Sequence, residues 1–197
     1  MSQSQLALFD APPSPSVFPQ GFRYQENLIT EAEEALLLAT IPTLPFKNFE
    51  YEGFEGNRRV VAYGWGYDFN THKVYRAEPM PAFLHPFRNK AAAFANMPPE
   101  DLQQAIITEY SPGAGIGWHT DRPMFENIIG ISLGTPCTFR LRLQDGAGDA
   151  KKWRRISLTA NPRSVYIMSG ESRTTWQHSI PPVEELRYSI TFRNYKP

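Results

Sequence analysis

A single cysteine, Cys137, stands among 197 residues, so no disulfide framework can brace this chain, and a reducing cytoplasm is the expected compartment. Long hydrophobic runs are lacking as well. The longest apolar stretch near the N-terminus, residues 35–41, is far too short to span a bilayer, and no charged region followed by an apolar core opens the chain. Neither a membrane span nor an export signal is expected. An excess of charge of either sign is also missing, because 20 basic side chains balance 20 acidic ones. That balance argues against a strongly basic nucleic-acid binder and leaves only local clusters to meet phosphates. With 41% hydrophobic residues, the chain reads as one globular domain, expected to be a monomer with a substantial core.

Residues 1–20 are rich in Pro, Ser and Gln and carry little apolar periodicity, so a flexible tail is expected ahead of one domain over 21–197. Thr30 and Glu33 have capping-box spacing before an apolar run that Pro42 ends, which predicts a short helix. Arg59 to Trp65 reads as a strand. If it persists, Trp65, Tyr67 and Phe69 share a face, either as core packing or as a platform for a flat substrate. Arg58, Arg59 and Arg76 add positive charge nearby. From Pro81, the residues Phe83, Leu84, Phe87, Ala91 and Phe94 are spaced for one buried helical stripe, which Pro98 and Pro99 stop. This helix is expected to buttress a sheet.

Seven short runs rich in β-branched and aromatic residues follow, at 104–110, 128–133, 138–143, 154–159, 164–168, 177–180 and 187–195. Their spacing predicts a mainly β fold of the α+β class, closed or double-sheeted in the manner of a jelly roll. Lys151, Lys152, Arg154 and Arg155 either bear phosphates or solvate a hairpin.

The chemistry concentrates in Trp118-His119-Thr120-Asp121. On an extended segment side chains alternate, so His119 and Asp121 point to one face and offer one nitrogen and one oxygen ligand. His178 completes two histidines and one carboxylate, a facial set that suits Fe(II) and leaves positions open for substrate and O2. In the last strand, alternation puts Arg187, Ser189, Thr191 and Arg193 on one face and Tyr188, Ile190 and Phe192 on the other. Two interior arginines are costly unless anions meet them. A dicarboxylate would meet them through bidentate contacts, and structural ion pairs with glutamates are the alternative.

The ordered set Thr108-x-Tyr110, Pro112-Gly113, Ile116-Gly117-x-His119-x-Asp121, Ile131-Ser132-Leu133-Gly134, Ser172-Arg173, His178 and Arg187 to Arg193 resembles the AlkB family of Fe(II)- and 2-oxoglutarate-dependent dioxygenases over roughly residues 45–195. The resemblance implies a double-stranded β-helix with buttressing N-terminal helices and a substrate-lid β extension. It implies that His119, Asp121 and His178 hold iron, that Arg187 pairs the distal carboxylate of 2-oxoglutarate, and that Arg193 lies near its metal-binding end. Tyr110, Thr108 and Ser189 complete the cosubstrate set. Thr108 and Ser189 depart from the family's usual Asn, keeping a hydrogen-bonding group but shortening it.

The implied reaction converts 2-oxoglutarate to succinate and CO2 while an N-methyl group is hydroxylated and leaves as formaldehyde. Alkylated DNA or RNA is the implied partner, with Trp65, Tyr67, Trp118, Arg122 and Arg173 as substrate-face candidates. Acidic residues just after H-x-D help to read the base in repair members, whereas Arg122 and Pro123 stand here, and a protein side chain is the alternative substrate. Within the tail, Gln5-Leu6-Ala7-Leu8-Phe9 resembles the short peptide that docks into the bacterial sliding clamp.

Overall fold

The eight strands of a double-stranded β-helix make up the second half of the chain. In a computed structural model that describes residues 17–51, 54–68, 73–145 and 152–195, they are β6 (Gln104–Tyr110), β7 (Ile116–His119), β8 (Phe125–Leu133), β9 (Cys137–Asp145), β10 (Lys152–Ala160), β11 (Val165–Met168), β12 (Gln177–Ile180) and β13 (Arg187–Tyr195). All seven expected runs form strands, and the eighth, β7, carries Trp118 and His119. Four strands form one sheet in the order β10-β9-β12-β7. The others join β1 (Phe22–Gln25), β2 (Lys47–Tyr51) and β3 (Phe54–Tyr63) in a larger sheet ordered β1-β11-β8-β13-β6-β3-β2. Two antiparallel sheets face each other in this jelly roll. The clamp-like Gln5–Phe9 segment lies outside the described residues, as does Phe69.

The expected strand from Arg59 to Trp65 does not run through. Gly64 adopts φ +77°, and a Cβ there would lie 2.0 Å from the Gln103 carbonyl oxygen. The ladder therefore breaks, and β4 (Trp65–Asp68) starts a separate two-stranded ribbon with β5 (Lys73–Arg76). This ribbon occupies the place of the expected β extension.

Helix α1 (Glu31–Thr40) starts on the predicted capping box, with the Thr30 hydroxyl accepting from Glu33 N–H and the Glu33 carboxylate accepting from Thr30 N–H. Its buried Glu34 accepts from Gly134 N–H at 2.9 Å and pairs with Arg163 at 2.8 Å, which pins the helix to the loops after β8 and before β11. Helix α2 (His85–Ala95) buries Phe87 and Ala91, and Leu84 in the turn before it, as the stripe predicts. It ends one turn ahead of the prolines, because Asn96 takes the left-handed conformation, φ 57°, that asparagine tolerates.

Both helices cover one face of the larger sheet, and the opposite face looks across to the smaller one. Strand β13 shows the division. Tyr188, Ile190 and Phe192 join Leu37, Leu84 and Phe87 in the helix-side core, while Arg187, Ser189, Thr191 and Arg193 line the space between the sheets. Period-two alternation thus turns one strand into both core and cavity wall.

Candidate active site

Strand pairing brings the two histidines together. In the β12–β7 ladder His178 stands opposite His119, and on its other side it pairs with Leu141 of β9. The imidazole centroids lie 4.2 Å apart. The Phe139 ring stacks on His178 at 5.7 Å with 15° between planes, so the second imidazole is packed in place. His119 Nδ1 lies 2.8 Å from the Gly117 carbonyl. A carbonyl only accepts, so Nδ1 carries the proton and Nε2 keeps its lone pair for another partner.

Asp121 follows just beyond the end of β7. Its segment is held by Arg173, whose Nε donates to the Phe125 carbonyl at 2.7 Å and whose Nη groups donate to the carbonyls of Asp121 and Arg122. Arg173 was expected at the substrate face. It is instead buried from α3 (Gly170–Thr174), and its donors are taken up by the backbone that carries Asp121.

The Asp121 side chain is buried, and its surroundings decide its charge. Burial alone would raise its carboxyl, but Arg193 foremost, followed by His178, His119 and Arg173, holds it below the ordinary carboxylate range. Arg193 Nη2 donates to Oδ1 at 3.0 Å. His178 is pushed down to about 3, by burial first and then by neighbouring His119, against the pull of Asp121. Its Nε2 stands 3.5 Å from Asp121 Oδ2. One ligand atom from each of His119, Asp121 and His178 lies within 4.8 Å of the other two.

These residues open into a cavity of about 1680 Å³ that also contains Thr108, Tyr110, Arg187 and Ser189. Arg187 faces Tyr110, and Ser189 faces Thr108, across the β13–β6 ladder. The Arg187 guanidinium sits 4.7 Å over the Tyr110 ring and donates from Nη2 to the Ser132 hydroxyl at 3.0 Å.

A family model described as the 2OG-Fe(II) oxygenase superfamily matches residues 21–193. The chain belongs to that superfamily. Within it the protein is AlkB-like: an Arabidopsis thaliana protein named alkylated DNA repair protein ALKBH8 homolog is 28% identical over 176 residues, covering 79% of this chain and 49% of that one. The chain thus spans about half the length of that relative. The Escherichia coli (strain K12) alpha-ketoglutarate-dependent dioxygenase AlkB is 28% identical over 149 residues, covering 66% of each chain. The solved structure of OsALKBH1 has the same fold, with a TM-score of 0.65 at 14% identity over 91% of this chain and 100% of that one.

Membership of this superfamily implies Fe(II), 2-oxoglutarate and O2. The chain's residues fit both groups. Two imidazoles and a carboxylate form the donor set that suits Fe(II). Arg187 is 2% exposed, and its Nε and Nη1 have no hydrogen-bond partner among the described residues. An unmatched buried guanidinium is costly, and a carboxylate fits its two free donors.

Of the remaining candidates in this oxygenase, Trp118 and Arg122 line the cavity. Trp65 does not. Its ring meets Tyr195 edge-on at 5.8 Å and Arg76 covers it at 5.2 Å. The Tyr67 side chain lies outside what is described. The sequence reading assigned no role to Ser132, although a lone hydroxyl inside the apolar run 128–133 was a signal for one. It also passed over Arg58 as a cavity residue. Arg58 faces the cavity, stacked 3.6 Å over Phe49, and only the β3–β6 pairing places it opposite Tyr110.

Proposed function

We propose that this oxygenase oxidatively demethylates alkylated nucleic-acid bases, with His119, Asp121 and His178 holding the iron and Arg187 holding the distal carboxylate of 2-oxoglutarate. Tyr110, Thr108 and Ser189 would complete the cosubstrate's site, and Arg193, bonded to Asp121, would lie near its metal-binding end. The bound iron and cosubstrate supply the oxidising chemistry, in which 2-oxoglutarate becomes succinate and CO2 and a hydroxylated N-methyl group is lost as formaldehyde. The chain's own work is to position and to exclude water. The His119 Nδ1 bond to Gly117 fixes the ring orientation, Phe139 and Leu141 wall the second histidine from solvent, and Arg193 keeps Asp121 ionised.

The observation that carries this reading is the shape of the cavity. One continuous space holds the ligand triad and the unmatched Arg187 guanidinium, and its volume of about 1680 Å³ exceeds the roughly 300–1,000 Å³ of ordinary small-molecule pockets. Space remains for a base turned out of its stack after the cosubstrate is seated. The lining favours an anionic polymer, since Lys47, Arg58, Arg76 and Arg122 outnumber Glu50 and Glu78 in it.

The test is formaldehyde release from methylated single- and double-stranded oligonucleotides with Fe(II) and 2-oxoglutarate, against a His119→Ala control. Formaldehyde matched by succinate is the expected result. Silence across the oligonucleotides, with turnover on methylated or unmodified protein, would transfer the activity to protein side chains.

A further inference from the structure

The smaller sheet turns one face to the cavity and the other outward, and the outward face has an unusual composition. From β9 it presents Thr138, Arg140, Arg142 and Gln144, and from β10 Trp153, Arg155, Ser157 and Thr159, by the alternation that sends Phe139 and Leu141 inward. Three cations stand there with no carboxylate paired to them among the described residues, on a chain whose overall charge is zero. Register sets Arg155 directly opposite Arg142. Like charges in that position oppose each other. The Arg142 guanidinium is lowered from its ordinary value by burial, then by Arg155 and Arg140.

These arginines are held in place by neutral groups. Arg140 Nε donates to the Ser179 hydroxyl at 3.0 Å, and Arg142 Nε donates to Gln177 Oε1 at 2.7 Å. Arg142 lies between two indoles, 4.4 Å from Trp118 and 4.2 Å from Trp153, and Arg140 covers Trp118 at 4.8 Å. Stacking fixes the guanidinium planes and leaves their remaining N–H groups free of any acidic partner among the described residues. The array meets the active site directly, because Trp118 and Gln177 both line the cavity and each adjoins an iron-ligand histidine in sequence.

We infer that this outer face of the smaller sheet is a track for the phosphate backbone of a single-stranded nucleic acid, leading to the cavity mouth at Trp118. The inference rests on the nucleic-acid reading of the active site. Preformed guanidinium groups without a carboxylate partner among the described residues suit phosphate oxygens, and indole rings beside them stack bases without sequence preference. A single strand can follow the short Trp153, Arg142, Trp118 row and still present a base to the opening.

The test compares an unmethylated single-stranded oligonucleotide binding to wild-type protein, to Arg140→Gln/Arg142→Gln/Arg155→Gln, and to the corresponding triple Lys variant, over a salt series. Loss of three phosphate contacts should weaken binding on the order of tenfold or more, and flatten the log K against log salt slope by about 2. The Lys variant keeps the charge and should retain most of the affinity and slope. It also serves as a folding control should the Gln variant melt early by circular dichroism.

Equal affinity and slope for wild type and Gln variant would overturn the track. Continued formaldehyde release from methylated oligonucleotides would then leave the proposed demethylation standing. Failure of wild type to bind or turn over any oligonucleotide would remove both. Displacement of the oligonucleotide by polyglutamate at matching charge would overturn the track in favour of an acidic protein partner.

Discussion

Arg193 donates through Nη2 to Oδ1 of Asp121 at 3.0 Å, which leaves Oδ2 turned toward His178 Nε2 at 3.5 Å. One oxygen is committed to charge pairing and the other faces the ligand set. The Arg193→Met substitution should therefore leave a buried carboxylate without its main counter-charge. Metal affinity is expected to fall about 10–100-fold, the usual cost of losing an outer-shell partner. Anaerobic titration with Fe(II) or Mn(II) measures it, and unchanged affinity would separate Arg193 from the metal site.

Arg187 differs because its Nε and Nη1 have no partner among the described residues. Arg187→Met should raise the KM for 2-oxoglutarate on the order of 100-fold, equivalent to about 2.7 kcal/mol of charge-assisted hydrogen bonding. Metal affinity should not follow. Arg187→Lys restores the charge without the planar fork, so partial recovery is expected. A KM for 2-oxoglutarate that does not move in the Met variant would remove Arg187 from the cosubstrate site.

Arg173 donates hydrogen bonds to backbone carbonyls in this region, at Asp121, Arg122 and Phe125. Arg173→Ala should loosen the segment carrying the carboxylate ligand while leaving every ligand in place. Weaker metal binding and a lower melting temperature are expected together, with saturating Fe(II) recovering most of kcat. A loss of kcat that excess iron does not recover, with the KM for nucleic acid raised, would return Arg173 to the substrate face.

Acidification should destabilise the metal-free protein. His178 in the fold is pushed down to about 3 by burial and then by His119, whereas a histidine in the unfolded chain titrates near ~6.5. Between those values the unfolded chain binds a proton that the folded chain does not, so stability is lost as pH falls through this window. The slope approaches about 1.4 kcal/mol per pH unit for one proton. Asp121, held below its ordinary value, adds to the loss only at the acid end, where the unfolded carboxyl protonates first. Urea unfolding from pH 7 to 4 should give a flatter profile for His178→Leu than for wild type. Identical profiles would mean that His178 is not buried neutral.

How much could be read without coordinates differs from element to element. The capping box at Thr30 and Glu33 is a local device, and it forms as written because only three residues separate its partners. The polar face of β13 was equally legible, since alternation is a property of any extended strand. The break at Gly64 was not. Nothing in Tyr63-Gly64-Trp65 announces that the Gln103 carbonyl occupies the space of a Cβ, because Gln103 arrives from 39 positions along the chain. Arg173 was misplaced for the same reason, because its partners lie on the segment beyond β7.

By itself the sequence determined the candidate ligand types and their order. His119, Asp121 and His178 could be chosen because residue chemistry and period-two spacing are local facts. Only the tertiary structure decided that His119 and His178 are register partners across β7 and β12, and that Arg187 is left with donors unmatched among the described residues. It also decided that Arg140 and Arg142 gather on Trp118. Burial and long-range pairing set each of these, and both arise from which strands meet, a relation that no stretch of contiguous residues contains.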